Sequence, residues 1–459
     1  MAEPGWRNLI AEGRAARLAL ICLGVWLNAA DSMVTTTIMP TIGRALGGYT
    51  YFSWATAAYM VGAILSGATA ARLSARTGLR NAMMAAGLLT AVGCAVSALA
   101  PSMLALVAGR WVQGLGAGWV LGACYAALGA IFPARHLPRV FGLMTSIWGV
   151  ALVLGPIVGA LFAQGGHWRG LFWAFALQCL AFVAASGWLL RDSAGPVSGR
   201  TPWAQLALVL AGVGLVGAAD LVSSAIAAGG LCVASLAVFV LAARWPTDPE
   251  HSLFPREAGD PRSVIGAAYI SFFALTAAAA GFSVYGPAIL QKLYGFSPLM
   301  AGYAVGLESA GWTGAALLVA GLPERWHAPI IRLGGVCVVV ALAMLAVVMR
   351  GGPLPAILVA AAVLGAGFGL TSGYIDRRVI AAAPEPEREL ASAGINSVRQ
   401  VGNAAGACFA GIVANLAGLT AGVTLAGADT AAVWLFALAA PLALVGAVAC
   451  WRVAEASVG

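Results

Sequence analysis

The sequence predicts an all-α polytopic membrane protein, and two observations carry the prediction. Of the 459 residues, 61% are hydrophobic and 9% charged, whereas a soluble domain carries roughly a quarter charged residues. With a mean hydropathy of +0.91, the chain lacks the polar groups to cover a surface in water, and lipid is the solvent that suits it. The apolar residues also come in continuous runs. A transmembrane β-barrel would instead alternate polarity over segments of roughly 10 residues. The same arithmetic excludes an ordinary soluble enzyme and a disordered chain.

A bilayer core takes about 20 apolar residues per helix. Fourteen segments qualify: 16–40, 51–71, 81–99, 102–131, 140–164, 170–190, 203–220, 225–244, 263–290, 298–322, 329–350, 354–377, 390–416 and 430–452. The seventh and eighth leave six on either side. The expected organisation is a six-helix bundle over 1–190, a linker region with two extra helices over 191–262, and a second six-helix bundle over 263–459. The longest polar connection, Trp245–Arg262, contains Pro246, Pro249, Pro255 and Pro261 and reads as a cytoplasmic linker. With a cytoplasmic N-terminus, 19 of the 25 basic residues fall in cytoplasmic segments, among them Arg7, Arg72, Arg76, Arg80, Arg135, Arg191 and Arg200. Only Arg44, Arg169, Lys292 and Arg350 fall outside, and Arg110 and Arg399 within helices. This positive-inside asymmetry predicts both termini in the cytoplasm and an inner-membrane location.

The same asymmetry explains the net charge of +8 without nucleic acid, for which no basic domain with interleaved aromatics exists. The first span is too long for a cleavable signal peptide. Eight cysteines lie in apolar segments without a CxxC pair, and four histidines are scattered, so neither metal nor redox chemistry is expected. There is no GxxxxGK[ST] and no room between helices for a nucleotide-binding domain. The expected energy source is an ion gradient or the substrate's own gradient, with no cofactor and a monomeric chain.

Ionisable groups within the membrane are costly and usually functional. Asp31 lies about 15 residues, roughly 22 Å, into the first span, and Arg110 about 8 residues, roughly 12 Å, from the outer end of the antiparallel fourth. Their matching depth predicts a pair across the bundle core, either a permanent structural link or a switch that protonation of Asp31 opens. Gln113 is one turn from Arg110. Glu308 falls near the midplane of the tenth span, with Trp312 one turn on; together they suit a lipophilic cation, a second proton site, or a carboxyl bonded to a neighbouring helix. Asp220 reads as an outer-rim group. Asp376 reads as a local ion pair with Arg377 and Arg378, and Arg399, Gln400 and Asn396 as polar contacts between helices.

Four motifs add a resemblance. Asp31-Ser32-Met33-Val34-Thr35-Thr36-Thr37-Ile38-Met39-Pro40 resembles the first-helix signature of the fourteen-spanner drug:proton antiporters of the major facilitator superfamily. Gly109-Arg110-Trp111-Val112-Gln113-Gly114-Leu115-Gly116 resembles the family's fourth-helix motif, and Gly155-Pro156-Ile157-Val158-Gly159 its antiporter motif. There Pro156 kinks the helix while the glycines permit close contact. Glu389–Asn403 resembles the penultimate-helix region. In the stretch Ala71–Arg80 the family's usual Gly and Asp are replaced by Ala71 and Ala75, although Arg76, Gly78 and Arg80 remain as gate residues; Glu324, in a weaker echo at 321–325, offers an acid from the other half. The resemblance implies a major facilitator fold with two extra helices, in which Trp26, Tyr59, Trp119, Trp148, Phe282 and Tyr285 are candidate cavity linings.

The expected function is a proton-coupled exporter of small lipophilic or cationic compounds. Its expected substrate contacts are Asp31, Tyr59, Arg110, Gln113, Trp148, Tyr285, Glu308, Trp312, Asn396 and Gln400. An exporter of a specific metabolite, siderophore or lipid is the alternative.

Overall fold

A computed structural model describes residues 14–132, 137–190, 201–222, 224–245 and 252–455; Pro246, Pro249, Arg7, Arg135, Arg191 and Arg200 lie outside them. The chain is helical throughout the described residues. The first part comprises α1 (Arg14–Leu46), α2 (Trp54–Gly67), α3 (Ala70–Thr77), α4 (Leu79–Leu99), α5 (Met103–Ile131), α6 (Leu137–Gln164) and α7 (Trp168–Leu189). There follow α8 (Trp203–Asp220) and α9 (Ala225–Arg244). The last part comprises α10 (Val264–Tyr294), α11 (Pro298–Val319), α12 (His327–Val348), α13 (Leu354–Ala382), α14 (Arg388–Leu416), α15 (Leu425–Ala437) and α16 (Ala440–Glu455).

The helix boundaries follow local chemistry. Hydroxyl side chains of Ser102, Ser224, Ser263, Ser297 and Thr424 accept the backbone N–H three residues on, capping donors that have no intrahelical partner. α1 runs through Pro40, six residues beyond the expected end. The second span departs most. α2 stops at Gly67, where Thr69 turns its hydroxyl onto the Leu65 and Ser66 carbonyls, and the expected cytoplasmic loop is instead the helix α3. Gly78, at φ +80°, makes the turn from α3 to α4, a backbone conformation that favours glycine. The last span is broken into α15 and α16 because Pro441 cannot donate to the preceding turn.

Among the described residues, eleven helical stretches are long and apolar enough to cross a membrane. α2, with 14 residues, is too short to count among them, and α11 and α14 are also outside that set.

Helix packing repeats. In the first part α2 lies on α5, α5 on α4, α4 on α7 and α1 on α6; in the last, α11 lies on α13, α13 on α12, α12 on α16 and α10 on α14. The two parts meet through α2 against α14 and α6 against α11. α8 packs on α9, on α14 and on α2, so the extra pair is seated at the junction of both parts.

The contacts between the two parts concentrate at the end where α1 finishes, here called distal. Phe52 packs on Tyr285 with ring centroids 5.2 Å apart. Arg44 donates to Gln291 (3.4 Å) and Tyr303 to the Val153 carbonyl (3.0 Å). Gly302 of α11 faces Thr37 and Pro156 so closely that a Cβ would lie 2.6 Å from the Thr37 hydroxyl and 3.0 Å from Pro156. Gly155 and Gly159 bring α6 equally close to Met33 and Thr37 of α1. Gly302→Leu would overpack this seam at a cost of about 1–3 kcal/mol. With spin labels at Arg44→Cys and Lys292→Cys in a background lacking the native cysteines, the variant should lengthen or broaden the measured distance; an unchanged distribution would show that the seam does not depend on this contact.

Candidate functional site

The glycines around Arg110 do steric work. Gly114 sits against the Tyr59 backbone of α2, where a Cβ would lie 2.1 Å from the carbonyl, and Gly93 of α4 sits against the backbone of Gln113 (2.3 Å). α5 is thereby clasped between α2 and α4, and Arg110 and Gln113 point at α1. Arg110 Nη1 donates to both carboxylate oxygens of Asp31 (2.8 and 2.9 Å) and to Gln113 Oε1 (3.0 Å), and Gln113 Nε2 donates back to Asp31 Oδ1 (2.7 Å). The Arg110 guanidinium lies over the Tyr59 ring, 4.4 Å from its centroid, so an aromatic face shields the side whose Nε has no acceptor. The Tyr59 hydroxyl donates to Asn28 (3.3 Å). Asp31, Arg110 and Gln113 are at most 2% exposed.

This cluster lies inside the first part of the fold. A small cavity beside it is walled by Asn28, Thr90, Cys94, Gln113, Cys179 and Asp31 itself, from α1, α4, α5 and α7. Isolated, each charge would cost several kcal/mol at this depth; together they leave a compact, hydrogen-bonded unit. Asn28 was not singled out by the sequence reading. Its signal was available, since it precedes Asp31 by one turn on the same face. All eight cysteines are free, and no group of three or more His, Cys, Asp or Glu among the described residues could hold a metal.

Glu308 is half-buried on α11 and accepts from Ser283 of α10 (3.1 Å). Trp312, expected to share its face with Glu308, stacks on Phe368 of α13 (5.2 Å). Asp376 does not pair with its neighbours Arg377 and Arg378. It accepts from Arg399 of α14 (3.0 Å), whose guanidinium also lies over Phe272 (4.1 Å); a carboxylate on one helix face reaches the adjacent helix more readily than the next residue in its own chain. Asn396 is exposed and Gln400 half-buried on the same helix.

Asp220, the last residue of α8, is 4% exposed. Its carboxylate accepts from Ser53 (2.9 Å), Trp54 Nε1 (2.9 Å) and Asn415 Nδ2 (2.7 Å). These three partners come from both parts of the fold, so the end of α8 ties the start of α2 to the end of α14. Tyr285 is buried in the distal seam against Phe52, and Phe282 packs on Phe436 within the last part. Trp26 donates to Gln178 and Trp119 to Thr69, and Trp148 is 43% exposed. Arg76 and Glu324 are exposed, and Arg80 half-buried.

A doubly repeated helical bundle with a buried charge cluster in its first part defines a multi-pass membrane transporter. The sequence model of the Major Facilitator Superfamily matches residues 21–407, and the chain belongs to that family. It is 30% identical over 448 residues to a probable multidrug-efflux transporter of Mycobacterium tuberculosis, in two strains, covering 90% of each chain. Its fold resembles the solved nucleoside transporter NupG (TM-score 0.67, 13% identity, 95% of this chain and 99% of that one). It also resembles a D-xylose-proton symporter (TM-score 0.65, 15% identity, 95% and 97%).

The cluster makes a stability prediction. Arg110→Ala leaves a buried carboxylate unpaired and should destabilise by about 3–5 kcal/mol. Asp31→Asn with Arg110→Gln removes both charges and should melt closer to the parent in a detergent thermal-unfolding assay. Equal loss in the single and double variants would mean that packing, not charge, dominates the site.

Proposed function

We propose that the chain is a proton-coupled antiporter that exports small lipophilic or cationic compounds by alternating access. The carrying observation is Asp31, whose carboxylate takes three hydrogen bonds from Arg110 and Gln113 beside a small cavity. Ionised, it holds α1 to α5. Protonation removes the charge that Arg110 needs, so the two helices are released when a proton binds and drawn together when it leaves. The name of the 30% identical mycobacterial relative supports efflux as the direction of transport.

In this reading the moving units are the bundles over 1–190 and 263–459, joined by the region 191–262. The chain crosses the inner membrane fourteen times as a monomer, with both termini in the cytoplasm. The distal end is then the outer face, and the seam at Phe52, Tyr285 and Gly302 closes it. Glu308 is the second acid on the path: among the described residues its hydrogen-bond partner is a neutral hydroxyl rather than a cation, which leaves its charge for a cationic substrate or a proton. Gly155, Pro156 and Gly159 form the hinge at the seam, and Arg76, Gly78 and Arg80 belong to the inner gate.

Transport in proteoliposomes with an imposed pH gradient tests this. An outward flux of a lipophilic cation such as tetraphenylphosphonium should depend on the gradient and fall at least tenfold in Asp31→Asn, while binding of the cation persists. Gradient-dependent flux at the parental rate in Asp31→Asn would sink the assignment of the coupling site. A parent that carries anions but not the cation would favour a metabolite or siderophore exporter, with Arg110 as substrate ligand.

A further inference from the structure

α9 is the least buried of the eleven membrane-length helices, with 17% of its apolar window covered. It is held by α8, by the linker turn at Arg256–Gly259, and by an edge contact of Phe239 with Phe273 of α10 (5.4 Å). Between its C-terminal half and α10, α14 and α16 lies a crevice of about 270 Å³, near the lower end of the roughly 300–1,000 Å³ of small-molecule sites. Its walls are apolar, formed by Leu236, Phe239, Phe254, Phe273, Val401 and Val445. The hydroxyl of Tyr269, a polar group on its wall, is committed to the Ala391 carbonyl (2.9 Å). Water needs two or more polar partners to occupy such a space, and an unfilled space forfeits dispersion contacts on every wall. Hydrocarbon is the occupant these walls select.

A second crevice shares the wall residues Ile270 and Val445 with it and is bordered by Pro261 and Arg452. Two exposed guanidinium groups are anchored to the same short linker beside these crevices, Arg452 on the wall of the second and Arg244 on Gly259, a wall residue of the first. Arg244 donates to the Gly259 carbonyl (2.9 Å), and Arg452 makes a long contact to that of Pro261 (3.5 Å). Arg262 adds a third positive charge. Among the described residues of the linker the acids are Glu257 and Asp260, and Asp260 already accepts the Arg262 backbone N–H (2.9 Å); Arg256 is paired with Glu387. Apolar crevices bordered by arginines at the end of two membrane helices match one ligand chemistry.

We propose that this crevice binds an anionic phospholipid, with an acyl chain between α9 and the last part of the fold and the headgroup phosphate on Arg244 and Arg452. A cationic substrate would meet two arginines on entry, which argues against the crevice as its path. Bound there, the lipid completes the packing of α9.

The test is native mass spectrometry of the purified chain exchanged into equal amounts of phosphatidylglycerol and phosphatidylcholine and then delipidated. The parent should retain phosphatidylglycerol at least threefold over phosphatidylcholine. Arg244→Gln with Arg452→Gln, both at exposed positions, should abolish the preference. Val445→Trp, on a residue 51% exposed that lines both crevices, should lower retention of either lipid; unchanged elution and melting verify folding. Equal retention of the two lipids by the parent overturns the proposal. So does a preference that survives both variants, or tetraphenylphosphonium retention sensitive to Val445→Trp with no preference between lipids.

Discussion

Arg110 can occupy the interior of a bilayer-embedded bundle because its charge is matched locally, by two carboxylate oxygens, an amide oxygen and an aromatic face. That requirement propagates outward. The carboxylate must come from α1 at the right depth, which fixes the register of α1 against α5. The helices that hold the pair must approach closely, which requires glycine at 93 and 114 so that α4 and α2 close around α5. Much of the first part of the fold follows from accommodating one positive charge in hydrocarbon.

The second constraint is the distal seam. It combines close approach at Gly302, packed aromatics at Phe52 and Tyr285, and the Asp220 carboxylate, which reaches both parts at once. The extra helices are therefore attached to the junction rather than appended to one side. α8 carries this attachment, and α9 is left facing lipid. The division of labour explains why α8 contains a buried acid and α9 is little more than an apolar rod.

Much of this was legible in the sequence. Apolar runs located the helices because lipid enforces continuous hydrophobicity, and depth along antiparallel spans was enough to bring Asp31 to Arg110. Helix ends were less legible: the sequence gives no period by which to see that Thr69 would break α2, that 70–77 would be helical, or that α1 would continue through Pro40. Partners across helices were the least legible. Asp376 was matched with its chain neighbours because adjacency in sequence is visible and the approach of α14 is not, and the partners of Asp220 were out of view because its three hydrogen-bond donors lie 166 and more positions away in the chain.

The 79 residues that separate Asp31 from Arg110 also bear on how the protein is made. α1 leaves the ribosome first and must enter the membrane carrying an acid with no counterpart, and α5 arrives later with an arginine whose insertion alone would cost about 2.5–3.5 kcal/mol. If α1 remains beside the insertion site until α5 emerges, the pair forms during synthesis and each charge serves as the other's passage into the bilayer. The same two residues that set the geometry of the finished bundle would then set the order in which its helices can be laid down.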